Sequence, residues 1–265
     1  MEQCEHELAR RASSRGTITN EKGVAVSVVP TPIQRSQRTH RLRMALTSLL
    51  VLLLAAIVVV VLVDKHVFSK ATIVGSGVAA TQTRSLPPFT SIDATGISNL
   101  IVHVGAPQSV VVRADNNLIS RITTRVQTGN LVIGNKPGSY SIKTPIRVQV
   151  TLPSVHALAL NGDGDITATG INAHVLTLSL AGLGSINASG TTTRLHITLS
   201  GAGEALLRRL IARDVTAVVS GAGQMLLTAT HSLNATVTGD GAINYYGNPP
   251  HVATTVTGNG VITRN

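Results

Sequence analysis

Tryptophan is absent from the 265 residues, and only three Tyr and two Phe are present. Aromatic side chains bury the most area per residue. Their scarcity argues against a core of the usual bulky kind and leaves Val, Leu, Ile and Ala to fill it in thin layers, as a β-solenoid does. It also argues against nucleic acid as a partner, since such sites combine a basic stripe with stacking rings. Cysteine occurs once, as Cys4. A single thiol makes no intramolecular disulfide and no cysteine-rich zinc site, and a domain without disulfides is compatible with a bacterial envelope. Charge is sparse, at 13% of residues, and unbalanced, with 22 Lys and Arg against 12 Asp and Glu.

That imbalance has a location. Residues 1–43 hold Arg10, Arg11, Arg15, Lys22, Arg35, Arg38, Arg41 and Arg43 against Glu2, Glu5, Glu7 and Glu21, and the rest of the surplus is spread thinly. Directly after them comes "MALTSLLVLLLAAIVVVVLV", Met44 to Val63, with no charged residue. About 20 apolar residues cross the hydrocarbon core of a bilayer as a helix, the one state in which the backbone bonds to itself. "RSQRTHRLR" before the span outweighs Lys65 and Lys70 after it, which keeps the N-terminus in the cytoplasm and puts everything beyond Val63 outside. A cleaved signal peptide is the rival reading. Its apolar core runs to about 7–15 residues behind a short leader; both are longer here, and "SKA" at Ser69–Ala71 is a weak cleavage match. The expected organisation is a largely disordered cytoplasmic basic tail, 1–43; a transmembrane helix, 44–63; a linker, 64–85; and an extracytoplasmic domain, 86–265. The expected location is the cell membrane, as a single-pass protein.

The outer part repeats. "LSGAGEALL", Leu199 to Leu207, has the look of a phosphate loop, with a strand entering Gly-Ala-Gly and an apolar run leaving it. The triplet, however, occurs six times, as Gly162–Gly164, Gly182–Gly184, Gly201–Gly203, Gly221–Gly223, Gly239–Gly241 and Gly258–Gly260, with first glycines 20, 19, 20, 18 and 19 positions apart. A period near 19 residues points to a solenoid. Two positions before each first glycine stand Leu160, Leu180, Leu199, Val219, Val237 and Val256; four after stand Ile166, Ile186, Ala205, Met225, Ile243 and Ile262. The intervening positions are mostly small or polar, and period-two alternation marks a strand with one buried face. Each repeat is therefore expected to be strand, Gly-x-Gly turn, strand and return turn, stacked on its neighbours. The structural turn glycines are Gly162, Gly164, Gly182, Gly184, Gly201, Gly203, Gly221, Gly223, Gly239, Gly241, Gly258 and Gly260, with at least one per turn needing positive φ. Ahead of them, residues 86–155 are expected to supply strands at Ser91–Ala94, Leu100–Val104, Val110–Ala114, Ile119–Gln127, Leu131–Ile133 and Ile146–Leu152, capping the solenoid that 156–265 form and continuing its sheets.

"FTSIDATGISNLIVHVGAPQSVVVRADNNLISRITTRVQTGNLVIGN", followed by "PIRVQVTLPSVHALALNGDGDI" and the glycine repeats, resembles the bacterial DUF2807 family, the putative auto-transporter adhesin head GIN domain. The resemblance spans Leu86 to Asn265. It implies an all-β fold, a parallel β-helix with tight Gly-x-Gly turns, an extracytoplasmic location, and an adhesive or scaffolding role without catalytic residues. Many members carry Gly-Ser-Gly, where this chain has GDG, GLG, GAG and GNG.

Chemistry-bearing residues give little pattern. A dinucleotide site needs one strand–loop–helix unit and a later acid, and a P-loop needs its lysine; neither is present. Asp163 and Asp165 form an acid pair near Glu204 and Asp240 of other repeats, but a calcium β-roll repeats its Asp in every rung, and Leu183, Ala202, Ala222 and Asn259 break this column. His156, His174, His196, His231 and His251 stand at differing offsets from the glycines, without metal-ligand spacing. Ser200 and Ser220 lack the upstream glycine of a nucleophile elbow. Arg208, Arg209 and Arg213 fall in one repeat, where a solvated edge is the plainer reading than an anion site. No catalytic, cofactor or metal residues are therefore assigned. The expected function is non-enzymatic adhesion, binding or scaffolding towards a glycan or an envelope protein. An envelope sensor signalling through the tail, or a polysaccharide-active enzyme using the acid pair, is the alternative. "VTGNGVITRN" leaves a solenoid edge on which a homo-oligomer could form.

Overall fold

Each Gly-x-Gly triplet is a corner at which the chain leaves one sheet and enters another. The computed structural model describes residues 72–96 and 99–265, all within the compact unit Lys70–Asn265. The basic tail and Met44–Val63 lie outside the described residues. Among the described residues no helix is long and apolar enough to cross a membrane.

The described chain is all-β but for one 3-10 turn at Ile119–Arg121. Its first strands are β1 (Thr72–Val74), β2 (Ala79–Arg84), β3 (Ser91–Thr95), β4 (Asn99–Val104) and β5 (Ser109–Asp115). After the 3-10 turn come β6 (Ile122–Gln127), β7 (Asn130–Asn135), β8 (Ser139–Ser141), β9 (Arg147–Leu152) and β10 (Ala157–Gly162). Four long strands follow: β11 (Asp165–Gly182), β12 (Ser185–Gly201), β13 (Glu204–Gly221) and β14 (Gln224–Gly239). The last are β15 (Ala242–Tyr246), β16 (His251–Thr257) and β17 (Val261–Arg264).

Each long strand is a rung with two legs, bent through an irregular return corner. The second legs pair in parallel with their equivalents, with β10, β3 and β7 on one side and β16 on the other. The first legs do the same in a second sheet with β4, β9, β15 and β17. The result is a β-solenoid of about five turns, its rungs roughly 4.8 Å apart. Leu160, Leu180, Leu199, Val219 and Val237 form one inward ladder and Ile166, Ile186, Ala205, Met225 and Ile243 another, all essentially fully buried. Burial of each larger side chain is worth roughly 1.5–3 kcal/mol, so narrow aliphatic ladders do the work that aromatic residues do elsewhere. Among the described residues Phe89 is the one Phe or Tyr in the buried core.

The legs hold a fixed register while the return corners vary. The variable pieces are 169–174, 189–193, 208–213, 228–231 and 246–250, four to six residues each. The irregular spacing of the glycines is thus absorbed on the side of the molecule away from the glycine corners.

Three expectations need correction. The linker assigned to 64–85 contains β1 and β2: β1 pairs with β8, and β2 pairs antiparallel with β5. Ile119–Gln127 is not one strand, because Ile119–Arg121 turns before β6 begins. The cap does not simply extend parallel sheets; β5 runs antiparallel to β9 and β6 antiparallel to β7, which closes the N-terminal end with strands of the opposite sense. A further corner also exists. Gly96 (φ +90°) lies directly against Gly162, its N–H donating to Asn161 O at 3.3 Å. β3 and β4 are therefore a rung of their own, hidden in sequence because "ATGISNL" lacks the second glycine and a long insertion precedes the next rung.

The cap is fastened by a buried carboxylate. Asp115, at the end of β5, accepts N–H groups from Gly77 (2.8 Å), Lys143 (3.0 Å) and Thr144 (3.1 Å). Burial opposes its charge, but these donors outweigh burial and pull the carboxyl from 3.8 down to about 2.

Candidate binding groove

The corner that resembles a phosphate loop has two of its donors already in use. Ala202 N–H donates to Gly182 O at 3.2 Å and Glu204 N–H to Gly184 O at 3.0 Å. A phosphate cradle needs such N–H groups free and a helix behind them; here they carry the inter-rung ladder around the bend, and the following segment is β13. The two glycines serve different ends. Gly201 has φ +113°, a region L-residues rarely occupy, whereas a Cβ at Gly203 would lie 2.6 Å from Gly184 O and 2.9 Å from Leu180 Cδ2. Ala202 between them is exposed.

Two of the candidate acids, Asp165 and Asp240, are engaged by neighbouring rungs. Asp165 Oδ1 accepts from Ser185 Oγ at 2.6 Å and Ser185 N at 3.2 Å, Asp240 accepts from Asn259 Nδ2 at 3.2 Å, and Asp163 stands exposed in its corner. The described residues contain no cluster of three or more His, Cys, Asp or Glu able to hold a metal. The three arginines do not act together. Arg208 lies 4.5 Å over the Tyr246 ring, Arg208 and Arg209 rim a hollow of about 160 Å³ floored by Leu206 and Leu226, and Arg213 pairs with Asp214 at 3.5 Å.

A larger feature lies on the outward face of the first sheet, beside the return corners. An open groove of about 520 Å³ crosses the second legs of β12, β13 and β14 and reaches β16. Its spine is one in-register column, Arg194, Asp214, Ser232 and His251; His196, Thr216 and Asn234 form the column alongside. Asp214 is held on several sides. Ser232 Oγ and His231 Nδ1 each lie 2.7 Å from its Oδ1, and these two bonds, with Arg213 nearby, keep its carboxyl below the usual range. His231 and His251 approach edge to face, ring centroids 5.5 Å apart. Arg194 makes no ion pair among the described residues, although its backbone is in register with Asp214. The sequence shows this column only when residues are counted seven back from the next first glycine. Counting from the preceding one scatters it, because return corners differ in length.

The match to the family model for the putative auto-transporter adhesin, head GIN domain, covers residues 88–249, from the cap to the last complete turn. The chain belongs to the DUF2807 family. Solved structures share the fold. A putative adhesin from Bacteroides fragilis aligns over 73% of this chain and 100% of its own, with 21% identity and a TM-score of 0.62. A protein from Parabacteroides distasonis described as a putative lipid binding protein aligns over 73% and 99%, with 22% identity and a TM-score of 0.51. No curated protein matches in sequence. The names borne by the family and by these structures are those of adhesins and a lipid-binding protein, not of enzymes.

Proposed function

We propose that this DUF2807 member is a membrane-anchored adhesion or binding scaffold of the bacterial envelope, its solenoid held outside by the span Met44–Val63 and oriented by the arginines of Arg35–Arg43. The observation that carries the reading is the division of labour along every rung. Inward positions are filled by aliphatic ladders and the glycine corners are consumed by backbone bonding, so recognition is left to the outward faces. The adhesin names in the family and in the Bacteroides fragilis structure support the same reading. The uncharged span and its basic flank support the anchor and its orientation.

The test is adherence of cells displaying the full chain against cells displaying a chain that lacks residues 86–265. Loss of adherence on deletion is the expected result; unchanged adherence refutes the adhesive role. Protease protection of the tail, with cleavage of the outer part, checks the orientation in the same cells.

A further inference from the structure

We propose that the groove along Arg194, Asp214, Ser232 and His251 is a binding site for an acidic, uronate-type polysaccharide. The inference rests on the adhesive reading above and names the ligand class and the face that takes it.

The groove is open, sets a row of polar side chains among apolar surface from residues such as Pro250 and Val252, and crosses four parallel strands, a length on the order of 14 Å at the usual strand spacing. An open trough suits a stretch of polymer, where an enclosed pocket would suit a small molecule. Its polar side chains include the planar and hydroxyl kinds that exchange hydrogen bonds with sugar hydroxyls: His196, Asn234, Ser232 and His251. Charge decides which sugar. Asp214 is the one acid among the lining residues, and Ser232, His231 and Arg213 already surround its carboxylate. It is therefore not left to neutralise Arg194, whose guanidinium fork fits a carboxylate with two parallel bonds.

The same geometry disfavours a peptide. Peptides dock by adding a strand to a free sheet edge or by placing bulky anchors in pockets. Across β12, β13 and β14 the backbone is paired on both sides, the groove reaches an unpaired edge at β16 alone, and no Phe, Tyr or Trp lines it.

The test measures dissociation constants of the full chain, in detergent micelles, for polygalacturonate, its carboxyl-reduced neutral form and polyglutamate. Polygalacturonate is expected to bind, and carboxyl reduction to weaken binding about tenfold or more, the worth of a charge-assisted contact. Arg194→Ala is expected to cause a similar loss, while Arg125→Ala, an equal charge change at an exposed position of β6, leaves affinity unchanged. Equal losses in the two variants, polyglutamate binding as tightly as polygalacturonate, or no polygalacturonate binding each overturn the site. Adherence of cells displaying the Arg194→Ala chain separates the two readings. If adherence persists while the groove assay fails, the scaffold stands and the groove falls; if deletion of 86–265 leaves adherence unchanged, the scaffold itself falls.

Discussion

Gly201, Ala202 and Gly203 sit side by side in one corner and differ sharply in what a methyl group would meet. At Gly201 an alanine would have to adopt φ +113°, which costs on the order of 1–3 kcal/mol. Its Cβ would also lie 2.7 Å from Gly182 O, a backbone atom tied into the ladder, so the rungs must part to make room at a further ~1–3 kcal/mol. At Gly203 φ is ordinary and only the crowding remains, 2.6 Å to Gly184 O and 2.9 Å to Leu180 Cδ2. Ala202 is exposed, and Ala202→Ser is expected to change stability by no more than about 0.5 kcal/mol. The expected order of cost is Gly201→Ala above Gly203→Ala above Ala202→Ser. For a unit of this size about 4 kcal/mol lowers Tm by roughly 8–16 °C. Thermal unfolding followed by circular dichroism, without nucleotide, reads the order directly. A phosphate cradle would show little loss from Gly201→Ala in the absence of ligand. A Gly201→Ala melt indistinguishable from wild type, or an Ala202→Ser cost as large, refutes the claim that this corner is built for close stacking.

Two further predictions concern the interior and the cap. Leu199→Ala removes a side chain buried between rungs and is expected to cost about 2–5 kcal/mol, while Ser200→Ala on the exposed face is near neutral; denaturant melts of the pair check the assignment of inward and outward positions. Asp115 has a folded-state pKa below its unfolded value, so the stability it contributes is present above about 4 and is lost as pH falls from there towards about 2. Asp115→Asn, which turns an amide towards the donors of Lys143 and Thr144, is expected to destabilise the cap at neutral pH and to flatten the melting temperature across that acidic window; a variant retaining the wild-type acid slope would place its source elsewhere.

The corners and the ladders were legible because both are local. A Gly-x-Gly triplet and the apolar residues at fixed distances from it fall within one leg pair, where the parallel register never slips, so Leu160, Leu180 and Leu199 align in sequence as they do in space. Asp115 was not legible. In "VVVRADNN" it has the look of a turn residue, and its three partners come from Gly77, Lys143 and Thr144, which neither period nor spacing brings together. β1 and β2 were missed for a related reason, since their partners, β8 and β5, lie in the cap outside the repeats, and such a strand carries no period to announce it. The rung of β3 and β4 was hidden by an insertion that the fold lays outside it, on β9 and β7.

The groove shows where recognition has room to vary in such a fold. Each leg is constrained by the ladder it extends, and each glycine corner by the carbonyl beneath it. A change in either must be matched in two neighbouring rungs. Return corners keep some ladder pairs, such as Ser189 with Arg209 and Ile211 with Thr228, but register slips around them, and here they range from four to six residues while the legs on both sides stay in register. Arg194, Asp214, Ser232 and His251 form the first column beyond the return corners that stays in register across all four strands. Their backbones are fixed by the ladder, and their side chains face the groove beside corners whose length differs from rung to rung. A rigid row of positions next to a variable rim is what a binding surface requires. This argument favours that edge of the first sheet over the corners, where repetition in the sequence first draws attention.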